Sequence, residues 1–148
     1  MKRVLAIFSL VLLSLFSLVT SPAPAVADGY SSKSSTGAKV YLISPQDGET
    51  VPSTFIAQFG LSGMGIAPAG VDKEGTGHHH LLIDLDTLPD LDQSLAATEH
   101  IKHFGGGQTE TTLTLPPGKH TLQLLLANYV HIPHEPPVMS EPITITVE

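Results

Sequence analysis

A chain of 148 residues with 14 acidic and 7 basic side chains has room for one folded domain and a formal charge of −7, which excludes electrostatic attraction to nucleic acid or to an anionic membrane surface and favours cations. It has 8 histidines but neither cysteine nor tryptophan. Disulfides and thiolate metal sites are therefore excluded, and any metal must be held by His, Asp, Glu, Met or backbone groups.

In chain order, Lys2 and Arg3 precede an almost entirely apolar stretch, residues 4–19. Small residues and prolines follow, ending in Ala25-Val26-Ala27. This is the three-part pattern of a secretory signal peptide, residues 1–27. The apolar stretch falls short of the about 20 residues that span a bilayer, so stable membrane insertion is not expected after cleavage. The chain beginning at Asp28 would be periplasmic or secreted. Its first residue is not cysteine, which excludes a lipid anchor there. Without Lys2 and Arg3 it keeps 5 basic against the 14 acidic residues, a formal −9.

Residues 28–38 are rich in Ser and Gly, lack apolar periodicity and read as a flexible leader, with order beginning near Ala38. Residues 39–148 read as an all-β domain. Strand runs are expected at 39–44, 54–61, 78–85, 108–115, 119–127 and 143–147. Within 54–61, Phe55, Ala57 and Phe59 alternate with Ile56 and Gln58. Residues 63–77 form a glycine-rich excursion, and 87–98 a loop with room for a short helical turn. Pro116-Pro117-Gly118 is expected to turn the two flanking runs into a hairpin. Short strands joined by turns and long loops predict a β-sandwich, immunoglobulin-like or cupredoxin-like. The Gly105-Gly106-Gly107 run precedes a strand, not a helix, and is no phosphate cradle.

The histidines fall into four groups: His78-His79-His80, His100 with His103, His120, and His131 with His134. On a strand, His78 and His80 share one face and His79 the other, with Leu81 and Ile83. The first two would start roughly 7 Å apart, a spacing that lets two imidazoles reach one ion. His131-Ile132-Pro133-His134 lies in a proline-stiffened loop, which restricts the placement of its imidazoles. The candidate metal ligands are His78, His80, His103, His131 and His134. Imidazole suits copper or zinc and does not suit magnesium or calcium. His120, inside a strand, reads instead as a buried or cross-strand residue. Asp84 and Glu110 are candidates to orient an imidazole through its second N–H, and Met64 and Met139 lie in the long loops. No nucleophile motif or His-Glu-x-x-His pair supports an enzyme, although an open metal position could activate water. The leading expectation is a periplasmic protein that handles copper or zinc. The alternative is a structural or interaction module of the cell envelope, bound to another envelope protein, whose histidines are structural.

Several strings carry a resemblance. Gly77 to Asp84 (GHHHLLID), Pro68-Ala69-Gly70 with Gly75-Thr76, His103 to Leu115 (HFGGGQTETTLTL), Pro117 to Leu125 (PGKHTLQLL) and His131 to Pro137 (HIPHEPP) resemble the bacterial exported proteins grouped as domain of unknown function 4399. The resemblance spans about residues 40–147. It implies a periplasmic β-sandwich and carries no biochemistry with it. His78, His79, His80, His103, His120, His131 and His134 match its motif positions, whereas His100 lies in a more variable stretch and is lowered as a ligand.

Overall fold

The structure is a computed structural model that describes residues 29–148; the expected signal peptide lies outside the described residues. Nine strands are present among them and no helix: β1 (Lys39–Ser44), β2 (Thr50–Val51), β3 (Thr54–Ser62), β4 (Gly65–Ile66), β5 (Thr76–Ile83), β6 (Ile101–His103), β7 (Glu110–Thr114), β8 (Gly118–Ala127) and β9 (Ile143–Val147). They form a β-sandwich. One sheet has the order β1-β3-β7, and the other runs β2-β9-β8-β5-β4, with β6 also paired to β5. No helix among the described residues is long and apolar enough to cross a membrane.

The six long runs expected from the sequence are strands. The alternation in β3 is realised: Phe55, Ala57 and Phe59 are buried while Ile56 and Gln58 face outward. They meet Leu81 and Ile83 of β5, Leu122, Leu124 and Leu126 of β8, and Ile145 and Val147 of β9 in the main core. Each such side chain contributes roughly 1.5–3 kcal/mol on burial.

Strand β8 is buried on both faces. Leu125 and Ala127 point away from the main core and join Leu82, Leu95 and Ile101 in a second apolar cluster, against which Leu85, Leu91 and Met139 pack. The long loops thus form a partial third layer on the outer face of the larger sheet. This explains the near-continuous apolar run Leu124-Leu125-Leu126-Ala127, which a one-sided strand would not tolerate.

Three expectations need correction. The runs around Pro116-Pro117-Gly118 do not form a hairpin. Strand β7 pairs with β3, and β8 pairs with β5 and β9, so this turn carries the chain from one sheet to the other. Residues 87–98 hold no helical turn, only turns and bends. Order begins before Ala38: Lys33 bridges Glu135, the Ser34 N–H donates to the Glu135 carbonyl (3.1 Å), and the Glu135 N–H donates to the Ser32 carbonyl (2.9 Å). Polar composition hid this docking, because backbone groups and the polar side chains of Ser32, Asn128 and His134 make it and none leaves an apolar pattern.

Candidate metal centre

Strand parity builds the first half of the site. His78 and His80 share the outer face of β5, and His79 points into the main core, where its ring meets Phe59 edge-on at 5.4 Å. Both faces are covered, so all three imidazoles are inaccessible to solvent. His80 lies directly opposite His103 of β6. The bond from the Phe104 N–H to the His79 carbonyl (3.1 Å) makes His80 and His103 a non-hydrogen-bonded pair, the type in which facing side chains stand closest. Their rings stack at 5.1 Å and 28°, and His78 lies 4.9 Å from His80 and 5.0 Å from His103 between ring centres.

His131 comes from the loop after β8. Its ring centre is 4.6 Å from His103, 5.1 Å from His78 and 6.1 Å from His80, edge-on to all three. Its backbone is left-handed, with φ of 70°, a conformation uncommon outside glycine and stabilised here by surrounding bonds. The triple glycine has a role at this site. A Cβ on Gly105 would stand 2.3 Å from Cε1 of His103, so only glycine leaves that ring its place. Hydrogen bonds from Ala69 N–H to Gly105 O (2.8 Å) and from Gly70 N–H to Tyr129 O (2.8 Å) tie the Pro68-Ala69-Gly70 segment to both neighbouring loops.

His78, His80 and His103 each present a ring nitrogen within 4.8 Å of the others, so the group could hold a metal ion. Metal–nitrogen bonds of about 2.0 Å in a tetrahedral shell put donor atoms about 3.3 Å apart, so small ring movements suffice. Both ring nitrogens of His78 and of His80 are buried without a hydrogen-bond partner in the protein. Such groups each cost about 1–3 kcal/mol unless something satisfies them. Burial, and then the neighbouring His103 and His131, push the His78 pKa down to about 4; burial and His78 push that of His80 down to about 3. Burial also lowers His103. Their neutral rings keep lone pairs available for an ion. His103 is exposed and His131 half-buried, which leaves the site approachable from that side.

Of the five expected ligands, the structure brings together ring nitrogens of His78, His80 and His103, sets the His131 ring beside them but outside that converging set, and leaves His134 apart. The His134 ring is buried, its Nδ1 lies 2.8 Å from the Ser32 hydroxyl, and its Nε2 would be 2.7 Å from a Cβ on Gly77. Its Nε2 has no partner, and the ring lies near enough to His78 to help lower that pKa without joining the converging set. His100 is also elsewhere, with Nδ1 2.9 Å from the Ile83 carbonyl. His120 is structural as expected: Nδ1 is 2.6 Å from Asp84 and Nε2 2.9 Å from the Pro116 carbonyl. The bond to Asp84 raises its pKa, with Pro116 assisting against burial.

The suggested supporting groups do not reach the cluster. Asp84 serves His120 and the Thr121 N–H, and Glu110 accepts from Gln58. Met64 packs on the main core. Met139 bridges Leu125, which itself stands opposite His80, so two strand spacings of about 4.8 Å separate it from that histidine. Two contributors escaped the sequence reading. Strand β6 has three residues, too few for a visible pattern, and Asn128 looks like an ordinary loop residue.

An all-β sandwich with a partly buried imidazole cluster that could hold a metal ion is the class that fold and site define. The family model described as Domain of unknown function (DUF4399) matches residues 57–148, and the chain belongs to that family. No curated protein and no solved structure matches it.

Proposed function

We propose that this is an exported, periplasmic protein that binds copper or zinc through His78, His80 and His103, with His131 as fourth donor, and serves in handling that metal. One observation carries the reading: two fully buried histidines on one strand face have four ring nitrogens without a partner, and a third imidazole stands beside them. A neutral, all-nitrogen donor set suits copper and zinc and disfavours magnesium and calcium. The acidic chain attracts cations, and the exposed His103 offers a point of entry.

Calorimetry with Zn(II) and Cu(II) tests it. The expected result is one ion per chain, with binding lost when His78 and His80 are both replaced. Absence of stoichiometric binding would overturn it and favour the alternative, an envelope module whose histidines are all structural.

A further inference from the structure

Asn128 is 2% exposed and uses every hydrogen-bonding group it has. Its Oδ1 accepts the N–H groups of Val130 (3.1 Å) and Ile132 (3.0 Å). Its backbone N–H donates to the Ile132 carbonyl, and its carbonyl accepts from the His131 N–H, both at 2.9 Å. These four bonds close residues 128–132 into a turn with His131 held in its left-handed conformation. The Asn128 Nδ2 points the other way. It donates to the Tyr30 carbonyl (2.7 Å) and the Ser32 hydroxyl (3.1 Å). One amide thus joins the N-terminal segment, residues 30–34, to the loop that carries His131.

We propose that Asn128 is a positioning residue for His131 and that, through it, docking of residues 30–34 and metal binding are thermodynamically linked. The proposal rests on the metal-binding reading above. If the segment leaves, the buried Nδ2 loses both acceptors at once. Water then replaces those acceptors and the amide is no longer held in one rotamer, so the Oδ1 bonds to Val130 and Ile132 loosen and the turn no longer enforces a positive φ at His131. The residue relaxes toward the ordinary region and carries its imidazole away from His103. The converse follows from linkage: an ion that fixes His131 stabilises the turn and hence the seat of the segment, by the same factor.

The test uses the purified exported chain with Zn(II), and with Cu(II) for spectroscopy. Ser32→Ala removes one acceptor of the amide together with the partner of His134 Nδ1. Asn128→Asp keeps the acceptor for Val130 and Ile132 and removes both donated bonds. Each should weaken zinc affinity about tenfold. The Ser32→Ala effect should vanish in a His131→Ala background, as a double-mutant cycle requires when the coupling runs through His131. The Cu(II) electron paramagnetic resonance spectrum of Asn128→Asp should move toward that of His131→Ala, a change that simple loss of stability would not give. Saturating zinc should slow tryptic cleavage after the exposed Lys33 in the parent chain and not in His131→Ala. Parent chain that binds one ion, with variants of unchanged affinity and spectrum and a cleavage rate indifferent to zinc, would overturn the linkage and leave the metal site standing. A parent chain that binds no ion would overturn both.

Discussion

The two ends of strand β5 treat histidine in opposite ways. Just beyond its C-terminal end, Asp84 and the Pro116 carbonyl satisfy both ring nitrogens of His120, and the Asp84 bond raises that pKa. Toward its N-terminal end, His78 and His80 are more deeply buried, have no partner at any ring nitrogen, and are pushed down to about 4 and about 3. The fold provides partners for His120 but not for the core-facing His79, whose two ring nitrogens are also unpaired and whose pKa burial also pushes down to about 4, so convergence of several rings, and not missing partners alone, sets the cluster apart. At the cluster it supplies further imidazoles, which cannot all satisfy one another but can converge on an ion.

The sharpest way to break this contrast is thermal melting with metal. At a free concentration about 1,000 times Kd, an ion that binds only the folded chain adds about 4 kcal/mol, on the order of 10 °C for a domain of this size. That rise should disappear in His80→Ala. It should persist in His120→Ala, even though the metal-free form of that variant melts lower.

The second test is pH. His78 and His80 have depressed folded pKa values, so the unfolded chain binds their protons first, from about pH 6.5 downward. Their contribution to stability is complete above that pH. It is lost as pH falls toward about 4 for His78 and about 3 for His80. His120 has the opposite sign: its raised pKa stabilises the fold below about pH 6.5 and that gain is lost as pH rises through the folded value. Denaturant titrations of the metal-free protein should show stability falling between pH 6.5 and 4. Replacing His78 and His80 with leucine should flatten that fall, whereas His120→Gln should leave it nearly unchanged and abolish instead the loss of stability as pH rises above about 6.5.

A smaller effect is expected from Gly105→Ala. The new Cβ would lie 2.3 Å from the His103 ring, which must turn away. Calorimetry should give about tenfold weaker metal binding, the lower end of what supporting groups contribute. Smallest is Asp84→Asn. Asparagine tolerates the positive φ of 53° at this position. Loss of the charged partner of His120 should cost about 1 kcal/mol, because Asp84 is partly solvated. Metal affinity should not change.

Much of this was legible in the residues. Period-2 alternation separated His78 and His80 from His79, and separated Phe55, Ala57 and Phe59 from their outward neighbours, because strand geometry fixes parity locally. The proline-stiffened loop pointed to His131, whose ring the structure sets beside those of His78 and His103. His134, from the same loop, lies instead against Ser32 and Gly77, a placement that residue spacing does not reveal. Pairing between distant strands was not legible. The Pro116-Pro117-Gly118 turn reads like a hairpin, and only the match of Leu113 with Phe55 across β7 and β3 places it between sheets. His103 reaches the site through a three-residue strand, and His131 through side-chain and backbone bonds of Asn128, neither of which leaves a periodic trace.

The central claim, that the unsatisfied imidazoles form a metal centre, is tested most directly by X-ray absorption at the zinc edge on protein carrying one equivalent of Zn(II). The account predicts a first shell of nitrogen at about 2.0 Å with outer-shell scattering from at least three imidazoles. A shell dominated by oxygen, as for a hydrated or surface-bound ion, would contradict it.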